Sequence, residues 1–247
     1  MNLCDLHIHT VYCDGKDTPE EIVLEAIRKN MDCIGFSSHS YTDFDESYCM
    51  KKDKIQSYKD EIFGLKKKYK DKIKILCGIE QDFYSKEPTS NYDYVIGSVH
   101  YLKVGDKYIA LDLSAEDLIN SVKKYYGGDF YKLTEAYFST VAKIKNADII
   151  GHFDLVTKFN EGYCLFDETD KRYVKAYKQS LDTLLAQNVI FEINTGAIAR
   201  GFRSKPYPSK EILDYIKAHS GKVILSSDCH SKEMLMFGFQ EYSEYLF

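Results

Sequence analysis

The chain has 247 residues, 44% of them hydrophobic and 29% charged, with a formal net charge of −5. That length and balance suit one enzyme-sized domain over residues 1–247, while the acidic surplus argues against a nucleic-acid binder, which needs a dense basic face. Seven cysteines without a CxxC pair argue against a disulfide framework or a zinc knuckle. An N-terminus lacking a basic and then apolar leader, and no apolar run of about 18 residues, give the expectation of a cytoplasmic protein with no membrane partner.

Short apolar runs alternate with amphipathic stretches, the pattern of βα units. The first predicted strand is Leu3–Ile8, and Thr18-Pro19-Glu20-Glu21 then reads as an N-cap, a first-turn proline and a capping-box acid. A second strand is expected at Cys33–Ser38, followed by a helix with Ile55, Tyr58, Ile62, Leu65 and Tyr69 on one face. Strands at Ile73–Phe83 and Tyr92–Tyr101 come next, then a helix start at Ser114 before Ala115-Glu116-Asp117. Phe130, Leu133, Tyr137, Val141 and Ile144 mark another helical face, and Asp148–Phe153, Val189–Thr195 and Lys222–Asp228 complete seven strands. Gly221 after Lys217-Ala218-His219-Ser220 is a helix stop. The expected fold is a closed parallel α/β barrel, distorted because the third and fourth strands have only a short link between them; an open doubly wound sheet is the alternative.

Six of the seven histidines, His7, His9, His39, His100, His152 and His230, fall at or just past the C-terminal end of a predicted strand. Glu80 and Asp228 end strands as well, and Asp14 follows the first. Parallel strands share one C-terminal face, so these residues would converge there, and His7 and His9, two apart, point to one side. Neutral imidazole and carboxylate form the ligand set of zinc, manganese or iron(II). Six histidines and three acids exceed one tetrahedral ion, which implies two or three ions with Glu80 or Asp228 as bridges. One histidine at a strand end is ordinarily a hydrogen-bonded core group; the recurrence carries the argument. His219, in the last turn of a helix, receives no role.

These residues stand in the motifs His7-Ile8-His9-Thr10, Cys13-Asp14-Gly15, Ser38-His39-Ser40, Gly78-Ile79-Glu80, Gly97-Ser98-Val99-His100, Gly151-His152-Phe153-Asp154 and Ser227-Asp228-Cys229-His230. In order and spacing they resemble the polymerase-and-histidinol-phosphatase (PHP) family, and the fifth and sixth are most similar to its histidinol-phosphatase branch. The resemblance implies a distorted (β/α)7 TIM-like barrel holding three divalent ions (Zn, Mn or Fe). His7, His9, Glu80 and Asp228 would hold the first, Glu80 with His100 and His152 the second, and Asp14, His39 and His230 the third. It further implies hydrolysis of L-histidinol phosphate to L-histidinol and phosphate, a step of histidine biosynthesis. A metal-bridging hydroxide would attack phosphorus in line, and Asp228 or a metal-bound water would protonate the leaving alkoxide.

Of the four arginines, Arg200 and Arg203 follow the strand Val189–Thr195 on the same face. A guanidinium fork matches phosphate, so Arg200 is the first candidate phosphate contact and Arg203 the second. Lys158 falls near where the family's phosphatases place a further basic contact, as a monodentate substitute. The loop Asp43-Phe44-Asp45-Glu46 could hold a cationic end of the substrate, and Glu192 and Asn194 either orient ligands or fill polar barrel layers. Cys13 and Cys229 read as core filler rather than thiolate donors. The rival readings are a phosphoesterase acting on nucleotides, phosphotyrosine or a DNA 3′ end, a C–N hydrolase, for which no strand-borne lysine stands out, and a non-catalytic metal-binding protein.

Overall fold

A computed structural model describes residues 3–246. The chain runs β1 (Cys4–Asp5), α1 (Pro19–Arg28), β2 (Cys33–Phe36), α2 (Ile55–Lys68), β3 (Lys74–Asp82), β4 (Tyr94–Ser98), β5 (Tyr101–Val104), β6 (Lys107–Ala110), α3 (Ala115–Tyr126) and α4 (Phe130–Val141). It continues through β7 (Ile149–Ile150), α5 (Asn160–Tyr163), α6 (Lys171–Leu185), β8 (Ile190–Asn194), α7 (Gly196–Ala199), α8 (Lys210–Ala218), β9 (Lys222–Ser226) and α9 (Phe239–Tyr242). The local signals act as their chemistry requires. Thr18 accepts from the Glu21 amide while the Glu21 carboxylate accepts from the Thr18 amide at 3.0 Å, satisfying two otherwise orphaned donors at the start of α1. Ser114 caps α3, and Gly127, at φ 65°, ends it.

Seven strands form one sheet in the order β1-β2-β3-β4-β7-β8-β9, with every neighbouring pair parallel. The two outermost strands meet only above their ends, at the bridge Ile8–Cys229, where His9 N donates to Cys229 O at 2.9 Å and Cys229 N to His7 O at 3.2 Å. The result is a nearly closed barrel, not the open sheet. Helices cover its outside. Tyr58 and Ile62 of α2, with Ile22 and Val23 of α1, bury against Ile34, Phe36 and Cys77. Leu133, Tyr137 and Phe138 of α4 and Tyr173 and Leu181 of α6 bury against Ile150 and Phe191. Each fully buried side chain of this kind contributes about 1.5–3 kcal/mol.

Two differences from the sequence reading matter. The hydrogen-bonded strands are shorter than the apolar runs, down to two residues in β1 and β7. In addition, the run Tyr92–Tyr101 holds the whole of one strand, β4, and the start of another. Tyr101 opens an antiparallel hairpin, β5–β6, pairing with Ala110. Its two-residue loop has Gly105 first, at φ 58°, the residue that primed hairpin turns favour there. No helix among the described residues is long and apolar enough to cross a membrane.

Candidate metal centre

The C-terminal strand ends gather the sequence-predicted residues at one place. From β1's end come His7 and His9, fully buried, with Asp14 on the following loop. That loop folds tightly back: a Cβ on Gly15 would lie 2.5 Å from the His9 carbonyl carbon and the Thr10 amide nitrogen. His39 follows β2, Glu80 lies within β3, His100 follows β4, His152 follows β7, and Asp228 and His230 follow β9. His152 (φ 20°) and Asp228 (φ 48°) have positive φ, which turns the chain sharply as it leaves the sheet.

Glu80 is the hub. Its Oε2 lies 2.8 Å from His39 Nδ1, 3.3 Å from His7 Nε2 and 3.6 Å from His9 Nε2, and its Oε1 lies 3.0 Å from His152 Nε2 and 3.3 Å from His100 Nε2. Asp228 Oδ1 stands 3.2 Å from His9 Nε2 and 3.8 Å from His7 Nε2. Asp14 reaches His230 Nε2 at 3.3 Å and His39 Nε2 at 3.7 Å. All nine expected ligands therefore meet. The donor atoms cluster as His7, His9 and Glu80; as His39, Glu80 and His100; and as His9, Asp14, His39 and His230. His39 and His9 each belong to two clusters, a sharing that the family partition of ligands does not contain.

These residues fit a divalent cation. His7 Nε2, His9 Nε2 and Glu80 Oε2 are buried yet have no hydrogen-bond partner among the described residues, an arrangement that is costly unless something else coordinates them. Burial, helped by His230 and His39, lowers His9 to about 3, so its ring is neutral and carries a free lone pair. Burial also disfavours charge on His7, but the Glu192, Glu80 and Asp228 carboxylates outweigh it and raise its pKa well above the ordinary value. Burial pushes Glu80 up, but His7, His39 and His100 hold it far below the carboxylate range. The clustered anionic oxygens are a field that a cation would neutralise.

A layer of polar groups beneath fixes the rings. Glu192 Oε1 bonds His7 Nδ1 at 2.6 Å, and its Oε2 accepts from His152 N at 3.0 Å and Asn194 Nδ2 at 2.8 Å. This is the outer-shell arrangement that sets a ligand's tautomer, so of the two readings of Glu192 and Asn194, ligand orientation is the one their contacts match. Asp82, which sequence reasoning missed, holds His100 through its backbone: its Oδ2 accepts from His100 N at 3.1 Å and lies 3.3 Å from the ring's Nδ1. The two cysteines coordinate none of the clusters: Cys229 is buried in the core, and the Cys13 thiol lies 3.5 Å from His9 Nδ1. His219 stacks on Tyr215 at 4.1 Å at the C-terminal end of α8, ahead of β9.

A PHP domain model matches residues 5–196. The chain belongs to the PHP family. It is 26% identical over 273 residues to the histidinol-phosphatase of Bacillus subtilis strain 168, covering 99% of both chains. Its PHP barrel superposes on the hisK product of Listeria monocytogenes with a TM-score of 0.84 at 21% identity, covering 97% of this chain and 99% of that one. A TM-score of 0.70 at 23% identity relates it to the Lactococcus lactis histidinol phosphate phosphatase complexed with zinc, L-histidinol and phosphate, covering 99% and 92%.

The PHP cluster opens into a cleft of about 290 Å³. Arg200 lines it and is pinned: Nη2 donates to Asp228 Oδ2 at 3.0 Å and Nη1 to Asp228 O at 2.9 Å. Gly196 makes room, since a Cβ there would meet Asp228 Oδ2 at 2.8 Å and Arg200 Nη2 at 3.0 Å. Lys158 also lines the cleft, but its Nζ donates to Asp112 O at 2.8 Å and lies 4.6 Å above the Phe202 ring. Arg203 is not on the wall. It is buried behind it, bonded to the Thr157 hydroxyl and stacked 4.6 Å from the Tyr207 ring, because Asp154 and Tyr207 offer it partners in the interior. Of the acidic loop, Asp45 faces the cleft, whereas Asp43 and Glu46 are tied to Lys86 and Lys51 at the surface. Asp112, just past β6, and Tyr48 were missed by sequence reasoning: they precede or follow no predicted strand end, and only the hairpin and the loop carrying Asp45 bring them in.

Proposed function

We propose that the chain hydrolyses L-histidinol phosphate to L-histidinol and phosphate at this centre. The observation that carries the reading is the lining of one cleft, which brings metal-ligand donors and Arg200 together with the acids Asp45 and Asp112 and three tyrosines. A phosphate ester with a cationic far end matches both, and the Bacillus subtilis relative's name points to the same activity. The clusters support three divalent ions. In the partition the family resemblance implies, His7, His9, Glu80 and Asp228 would hold one, Glu80 with His100 and His152 a second, and Asp14, His39 and His230 a third, with zinc, manganese and iron all compatible with the donors. When bound, the ions supply hydroxide near neutral pH and neutralise charge on the phosphoryl oxygens.

The chain's own residues bind and orient. Arg200 presents its guanidinium beside Asp228 and His230, where it can grip a phosphoryl oxygen as negative charge builds. Burial opposes charge on Asp228, but Arg200 and His7 hold its carboxyl well below the usual range. It therefore begins as an acceptor and can protonate the leaving alkoxide at Oδ only after taking a proton from the attacking water. Asp45, whose Oδ2 accepts from the Tyr101 hydroxyl at 2.7 Å and whose Oδ1 accepts from Ser47, has no cation bonded to it among the described residues and faces the cleft. It is the first candidate for the ammonium or imidazolium. Asp112 is the second, held below the usual range against burial by Lys158 and His100.

The test is phosphate release from histidinol phosphate, nucleotides and phosphotyrosine, with metal content measured on the same sample. Histidinol phosphate should give the highest kcat/KM, chelation should abolish turnover, and Mn²⁺ or Zn²⁺ should restore it. Full activity in a verified metal-free preparation, or preference for a nucleotide, would overturn the reading.

A further inference from the structure

The barrel's weakest joint lies directly under its chemistry. Below the two backbone hydrogen bonds at Ile8–Cys229, β1 and β9 have no ladder between them. A fully buried carboxylate, Asp5, fills the missing rung. Its Oδ1 accepts from Ser227 N at 3.1 Å and from His7 N at 3.4 Å. Its Oδ2 accepts from the Ser227 hydroxyl at 2.5 Å and from Met236 N at 3.3 Å. All four contacts are donors to oxygen, and two come from the backbone of residues at or beside expected ligands: His7 itself, and Ser227, which precedes Asp228 at its positive φ.

We propose that Asp5 is a positioning residue of the metal centre: its carboxylate closes the β1–β9 seam and sets the separation of His7 and His9 from Asp228 and His230. The chemistry selects an ionised acid. An asparagine would keep one acceptor but turn an NH₂ toward the Met236 amide, donor against donor, and an alanine would leave three backbone amides and a hydroxyl without a partner. Four of the nine expected ligands ride on the two strand ends that this anion joins, so a small opening of the seam separates one side of the first ion's site from the other. The role rests on the metal-centre reading but not on the identity of the ester.

The experiment measures Mn²⁺ and Zn²⁺ affinity by competition with a chromogenic chelator, without substrate, on the full-length wild type, Asp5→Asn and Ser227→Ala. Asp5→Asn should bind metal about 10–100-fold more weakly, the range seen when outer-shell partners of ligands are lost. Its kcat should fall at limiting metal and recover in excess Mn²⁺, with KM for histidinol phosphate unchanged. Ser227→Ala, which removes one of the four donors, should shift affinity in the same direction by less. A folded Asp5→Asn with wild-type affinity overturns the proposal, as does lost kcat at verified full metal occupancy. Should Asp5→Asn not fold, wild-type affinity in Ser227→Ala overturns it alone. If histidinol phosphate proves not to be the substrate, the affinity arm still decides Asp5.

Discussion

Glu192 and Glu80 are both fully buried glutamates inside the same barrel, on β8 and β3, and the fold treats them in opposite ways. Both oxygens of Glu192 have hydrogen-bond partners in the lumen: a ring nitrogen, a backbone amide and a side-chain amide. Glu80 has five ring nitrogens within 3.6 Å, yet its Oε2 makes no hydrogen bond of sound geometry. The lumen is a finished structure that holds rings at fixed angles. The layer above it is complete only with a guest. A buried polar residue is therefore informative about function through the satisfaction of its atoms more than through its burial.

The sharpest way to break this contrast is to remove a donor from the upper layer. His152→Ala or Asp228→Asn should lower kcat by at least about 10²–10³-fold, the scale of losing a group that stabilises the transition state, with folding intact by circular dichroism; near-normal kcat in either would dissolve the distinction. In the lumen, Glu192→Gln keeps the shape but offers an NH₂ to one of its two sides, and a loss of about 10–100-fold in metal affinity is expected. Equal effects at Glu80 and Glu192 would show that the two layers are not functionally separate. On the cleft wall, Asp45→Asn should raise KM for histidinol phosphate about 10-fold, or about 1.4 kcal/mol, leave kcat unchanged, and leave esters without a cationic end unaffected.

The last effect is on stability, with none expected on turnover, and belongs to a buried acid outside both layers. Burial pushes Asp154 up to about 6, with Arg203 pulling the other way. Because its folded pKa lies above the unfolded value of about 3.9, the folded state binds the proton more tightly, and stability from this group grows as pH falls from about 6 to about 4. Ionisation above that window costs stability. Urea unfolding of wild type and Asp154→Asn, compared at each pH so that the cluster's own titration cancels, should shift in favour of wild type by about 2 kcal/mol between pH 7.5 and 4.5. A pH-independent difference would place Asp154 among ordinary ionised carboxylates.

Much of this was legible before the structure. Histidine recurrence at strand ends needs only strand direction and side-chain alternation, and all nine candidates come together around Glu80, Asp228 and Asp14. Helix starts at Thr18 and Ser114 were readable because capping is a local contract between neighbours. The strand limits were not, because apolar character continues past the last hydrogen bond: Asp148–Phe153 is one apolar run, yet the ladder stops at Ile150 and His152 already has a positive φ. The hairpin was hidden by the same continuity at Tyr101. Arg200 and Arg203 show the remaining gap. They lie three residues apart in one loop, but one faces the cleft and the other the core, and only the interior partners of Arg203 decide between them.

The spread of donors along the chain has a consequence for how the protein comes into being. His7 and His230 lie more than two hundred positions apart, and the hub on β3 is of little use to an ion until both are beside it. Contacts of such long sequence separation form late, after loop-closure entropy has been overcome. A complete set of donors therefore requires the chain through β9, and a chain cut after β8 would keep most of its imidazoles but lack Asp228 and His230.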